Sequence, residues 1–174
     1  MSGRSVQLDG HLGRVLILLR HFGSTGETPL EGLTKLAKLD FLMRYPAFTD
    51  RLLAELGADW ELGTEPTESE QLAVESRMVR YKYGPWDDRY YPVLGSLAGL
   101  GLITVTKKGR ALVMNLTVSG AAVAADLANH EDWSQVDLRA SFLHRHFDVT
   151  GSRLKKLIYT KLPEVVDRPI RTTI

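Results

Sequence analysis

His144 and His146 flank Arg145 and form the chain's one candidate metal pair. On a helix, alternate residues point about 200° apart, so two such imidazoles cannot share an ion there. On a strand they could. The chain has no cysteine, which removes disulfides, thiol nucleophiles and Cys-based zinc sites. No third ligand stands at a familiar spacing. HExxH, GxSxG and Gly-rich phosphate-loop motifs are missing. Asp87-Asp88 reads as a helix cap rather than a catalytic carboxylate pair. Asn115-Leu116-Thr117 fits the glycosylation pattern but falls where a strand is expected. The reading is a non-enzymatic chain, with no catalytic residue, cofactor or metal.

The densest chemistry lies in RYKYGPWDDRYY, residues 80–91, which holds five of the fourteen aromatic residues. Tyr81, Tyr83, Trp86, Tyr90 and Tyr91 surround a Gly-Pro break and sit among Arg80, Lys82 and Arg89. Tyr and Trp pack an apolar body while keeping a polar tip, so they suit a core edge or an interface. Stacking on unpaired bases would want an open basic sheet, and Asp87 and Asp88 oppose that. The expectation is a strand–turn–helix corner whose outer rim, Trp86 and Arg89, touches a partner.

The totals are those of one globular domain: 174 residues, 44% hydrophobic and 25% charged. MSGRSVQLDG lacks an apolar signal core, and no run approaches the ~18 apolar residues of a membrane span. A cytoplasmic protein is expected. The net charge is +1, which argues against a general nucleic-acid binder. The charges are nonetheless segregated. Residues 55–75 carry seven acids and no base, whereas residues 139–161 carry six bases and one acid. Each block reads as a solvated face or as a surface for its own partner.

The elements that position these residues follow from periodicity. Residues 8–22 read as a helix, apolar all round at Val15–Leu19 and therefore buried. Thr28-Pro29-Leu30-Glu31 reads as a capped helix start, with the helix running to Arg44 and ended by Tyr45-Pro46. Lys35 and Lys38 face away from its apolar stripe. Residues 47–56 form a short helix closed by Gly57, and the acidic stretch after it is a loop. Residues 77–83 alternate like a strand. A helix starts within 87–92, with Asp87 or Asp88 as cap, and ends at Gly101. LITVT (102–106), KKGR (107–110) and ALVMNL (111–116) form a hairpin. A helix from Val118 to Asn129 follows, then two more at about 137–147 and from Ser152 to Pro163. The fold expected is mainly α with a small β-hairpin: a winged-helix core at about 77–129, N-terminal helices at about 8–57 and C-terminal helices at about 137–162, all in one domain.

GSLAGLGLITVTKKGRALVMNLTVSG resembles the helix–wing–helix core of winged helix-turn-helix proteins. The longer series LTKLAKLDFLMRYP, RYKYGPWDDRYY and the wing resembles the small middle components of bacterial ABC three-component systems, over roughly residues 12–160. In those operons an SMC-like ATPase, a small adaptor and an effector act together against phage. The resemblance implies an antiviral-defence adaptor that binds an SMC-like ATPase.

In a DNA-reading winged helix, the helix before the hairpin enters the major groove. Here that helix offers Arg89, Tyr90, Tyr91 and Ser96, where base edges call for Arg, Lys, Asn or Gln. Protein docking is therefore expected ahead of sequence reading. Lys107, Lys108 and Arg110 at the wing tip, with Arg153, Lys155 and Lys156 on the last helix, are the expected nucleic-acid or partner surface. Sequence-independent backbone contact and a homodimer stay open. The alternative reading is a winged-helix DNA-binding transcriptional regulator.

Overall fold

The structure, a computed structural model, describes residues 2–24, 29–72, 79–81 and 84–163; for 2–9, 72, 79–81, 84 and 85 it describes the backbone alone. Thr28, Lys82 and Tyr83 fall outside the described residues, as does the chain beyond 163.

In the first helix, α1 (Ser2–Phe22), the stretch Val15–Leu19 is apolar around the circumference and all of it is buried, as expected. It packs against most of the molecule, so no face of that stretch meets water. The chain then differs from the sequence reading. Leu30–Glu31 forms a strand, β1, rather than the start of a helix. Leu30 buries its side chain, and the Gly32 N–H donates to the Leu112 carbonyl across 2.8 Å. Those long-range contacts override the local cap signal. Gly32, at φ 96°, then turns the chain into α2 (Leu33–Arg44). A left-handed backbone there suits glycine.

Helix α3 (Pro46–Leu56) carries its proline in the first turn and stops at Gly57, φ 66°. The acidic segment is a loop with one short helix, α4 (Glu68–Leu72). Thr67 and Glu70 exchange side-chain-to-backbone bonds of 2.8 and 3.2 Å, a reciprocal cap. Strands β2 (Val79–Tyr81) and β3 (Gly84–Trp86) pair antiparallel with Tyr81 opposite Gly84. Gly84-Pro85 therefore lies within a strand and does not break one. A two-stranded ribbon has open edges, where proline's missing N–H costs little.

Helix α5 (Tyr90–Gly99) leads into the hairpin of β4 (Ile103–Lys108) and β5 (Ala111–Leu116). Gly109, at φ 62°, makes the turn. β1 adds to the far side of β5, with Leu30 opposite Met114, so the sheet order is β1-β5-β4. Helix α6 (Val118–Ala128) starts at Thr117, whose hydroxyl accepts the Gly120 N–H at 2.9 Å and donates to the Gly101 carbonyl at 2.6 Å. A Cβ on Gly120 would sit 1.7 Å from the Leu102 carbonyl oxygen, so this crossing admits only glycine. Helix α7 (Glu131–Phe147) begins some six residues before the sequence reading placed it, capped by His130. Helix α8 (Gly151–Lys161) is capped by Thr150, not Ser152. The molecule is thus mainly helical with a small three-stranded antiparallel sheet. Buried side chains from α1–α3, α5–α8 and that sheet form one hydrophobic cluster. No helix among the described residues is long and apolar enough to cross a membrane.

Candidate functional site

The most concentrated polar chemistry lies under the aromatic stretch. Asp40 of α2 is completely buried. Its carboxylate accepts from Arg14 Nε at 2.5 Å, from the Tyr90 hydroxyl at 2.7 Å and from Arg44 at 3.5 Å. Arg44 also donates to Asp87 at 2.7 Å, and Arg89 grips the same Asp87 carboxylate through Nε and Nη2. His11 stands 3.6 Å from Asp40 and edge-on to Tyr90. Neither of its ring nitrogens has a hydrogen bond among the described residues. Burial alone would raise the Asp40 carboxyl, but the Arg14 guanidinium, ahead of Arg44, holds it well below the usual carboxylate range. Burial likewise opposes ionisation of Asp87, and the Arg89 and Arg44 bonds hold it low. Burial and the Asp40 charge push the Tyr90 phenol well above its ordinary value.

These three arginines and two aspartates join α1, α2 and the start of α5. Each is held in at least one ion pair, so the cluster reads as a brace. Asp87 also accepts the Arg89 N–H at 3.0 Å, but the cap position of α5 is Arg89, with no side-chain cap. Arg89, expected at a partner rim, has its guanidinium turned inward onto Asp87, with 14% of the side chain exposed.

The segregated charge blocks meet each other. Arg139 of α7 donates to both Glu70 oxygens, at 3.0 and 3.1 Å, and to the Thr64 carbonyl. Glu61 receives Arg145 through two bonds and His146 at 3.2 Å; Glu55 receives Lys161 at 3.2 Å. The Arg145 and His146 bonds draw the Glu61 carboxyl down. Trp60 stacks on Phe142 at 5.0 Å and pins the loop between these pairs. The acidic segment is therefore a strap over α7 and α8, and three of its acids are spent inside the molecule. His144 points to Asp148 and the Phe22 ring, away from His146. No group of three metal-ligating side chains occurs among the described residues.

Lys38, expected to face water, is 2% exposed. Among the described residues its ammonium reaches only the Thr34 carbonyl, at 3.3 Å. Burial, reinforced by the nearby Lys155 charge, lowers its pKa to about 8. Of the six expected surface cations, Lys107, Arg110, Arg153 and Lys156 have exposed side chains with no ion pair among the described residues. Lys108 pairs with Glu31 at 3.0 Å, and Lys155 lies over the Tyr159 ring. Glu31 and Arg153 line one cleft, together with Lys35 and Asp148. The start of α8 thus faces β1, and the carboxylates of Glu31 and Asp148 interrupt the basic surface between α8 and the hairpin tip.

Above the brace lies an aromatic corner. Trp86 packs edge-on to buried Tyr90 at 5.5 Å, and against Tyr91 at 6.2 Å with the rings tilted by 57°. Tyr91 is 62% exposed. A cavity of about 460 Å³ opens between these rings, Arg110 and Leu112 at the β4–β5 hairpin, and Gly32–Thr34 at the start of α2. Sequence alone pointed to Trp86 and Arg110 separately; their meeting depends on the unforeseen β1, which carries the α2 start to the hairpin. No protein-family model matches the chain, and no curated protein or solved structure shows significant similarity to it.

Proposed function

We propose that this chain is a non-enzymatic winged-helix adaptor in a bacterial multi-protein complex, with an SMC-like ABC ATPase as its protein partner. The winged-helix part of the reading rests on the path α1, β1, α2, α5, β4, β5 with sheet order β1-β5-β4. Residues 46–89 are then an insertion between the two helices of the helix-turn-helix. The defence role rests on the resemblance of LTKLAKLDFLMRYP, RYKYGPWDDRYY and the wing.

One observation favours an adaptor over a transcriptional regulator. Helix α5, YYPVLGSLAG, holds no Arg, Lys, Asn or Gln, and the one base beside it, Arg89, is tied to buried Asp87. A groove helix without those side chains has little with which to tell base pairs apart. By contrast, Leu100 and Val118, exposed at 66% and 78%, flank the Gly101–Thr117 bond where α5 ends and α6 begins. Exposed apolar groups of this kind suit a protein partner.

Co-expression with the SMC-like ATPase, followed by native mass measurement, tests the proposal. A stoichiometric complex is expected, lost in the Leu100→Asp/Val118→Asp variant while its melting temperature holds. Absence of any complex, together with footprinting that shows two protected half-sites, would establish the regulator instead.

A further inference from the structure

We infer that the aromatic corner is a binding site for a nucleotide unit, with its base unpaired. Three properties of the cavity converge on that ligand. Its size, about 460 Å³, lies within the range of small-ligand sites. Two of its walls are rings, Trp86 and Tyr91, and Tyr91 keeps most of its surface in water. Such faces hold a planar heterocycle by stacking, whatever the base. Its charge is one-sided. Arg110 lines it, and among the described residues Arg110 has no ion pair and no carboxylate joins the lining. The opposite wall is the start of α2, where no side chain caps the helix amides. That end adds partial positive charge facing the same space. A ring with an attached phosphate matches two aromatic walls and two positive ones.

Asp87 beneath the corner would repel a phosphate if it were free. It is fully buried, and its charge is met by Arg44 and Arg89. The nearest acid of β1, Glu31, is paired with Lys108. Asp88 is exposed but does not line the cavity, so the charges on its walls are those of Arg110 and the α2 start, in contrast to the cleft at Lys35 and Arg153, where Glu31 and Asp148 cancel the cations.

Duplex DNA keeps its bases stacked and paired, so it cannot present a ring to this corner without unpairing. The ligand is a free nucleotide or one unit of a single strand. This site stands on its own lining residues and does not depend on the adaptor reading.

The test uses the intact purified protein without any partner. Fluorescein-labelled dT10, a labelled GC-rich duplex of about twenty base pairs, and unlabelled AMP and UMP are titrated at low salt. The single strand is expected to bind, and the duplex to bind at least tenfold more weakly. Displacement of the strand by AMP or UMP means a free nucleotide suffices; binding of the strand alone assigns the site to nucleic acid. Tyr91→Ala should weaken binding roughly tenfold or more, and Arg110→Glu should abolish it. Both positions are exposed, so the melting temperature should hold. Leu138→Ala, exposed on α7 and outside the cavity, should bind like the parent. No binding by the parent protein would overturn the inference. So would binding that survives Tyr91→Ala unchanged, or a duplex that binds as tightly as the single strand.

Discussion

Two regions of this molecule use the same chemistry, arginine against carboxylate, at opposite depths. Around Asp40 and Asp87 the pairs are buried, each carboxylate takes several donors, and three separate segments converge. At the strap, Arg145 and Glu61 face water on the outside of α7. Distances in the two places are alike. Burial makes the difference: in the interior the lost partner leaves a charge that water cannot reach, while at the surface water replaces it.

The sharpest way to break the comparison is Asp40→Asn. It removes the charge opposite Arg14 and Arg44 and should cost about 3–5 kcal/mol, read by chemical denaturation. Because the Asp40 and Asp87 carboxyls sit below their unfolded value, their contribution is present above pH ~4 and fades as pH falls through the carboxylate range. The parent should therefore lose stability in acid more steeply than Asp40→Asn does.

Lys38 tests the interior in the other direction, since it is buried with no carboxylate partner among the described residues. Lys38→Met should raise stability at pH 7 by about 1–2 kcal/mol. A folded pKa of about 8, below the ordinary 10.5, means the unfolded chain holds the extra proton between those values. Parent stability should consequently rise from pH 8 towards pH 10, and Lys38→Met should flatten that rise. Above pH 10 the raised Tyr90 phenol acts oppositely, because the unfolded chain loses its proton first.

Arg139 lies between the extremes: its side chain is nearly buried, but its partner Glu70 is part-exposed. Arg139→Met should cost about 1 kcal/mol, in the same denaturation assay, because Glu70 regains water. Glu61→Gln should change the melting temperature least, and whatever change it makes should shrink in high salt.

Local signals carried much of this fold. The hairpin follows from alternating strands around the KKGR turn, the end of α3 from Gly57, and α6 from the helical run that begins at Val118. Each of these depends on neighbours within a few residues. What sequence missed depends on distant ones. β1 is two residues long and exists because β5 bonds it from more than eighty positions away. Lys38 and Asp40 look like solvated charges on an amphipathic helix, yet α2 is buried continuously from Leu36 to Arg44. Asp40 and Arg44, one turn apart in an otherwise apolar run, were the available hint of a buried pair. The corner itself was legible, but Arg89, expected with Trp86 on its outer rim, was not tied to Asp87 in advance.

The central claim is that α5 does not read sequence. Selection from a pool of random duplexes, carried through several rounds with the purified chain, measures this without assuming any site. The account predicts no enriched motif, and retained binding that is steeply salt-dependent and uniform across sequences. Enrichment of a palindrome with half-sites about one helical turn apart would contradict it.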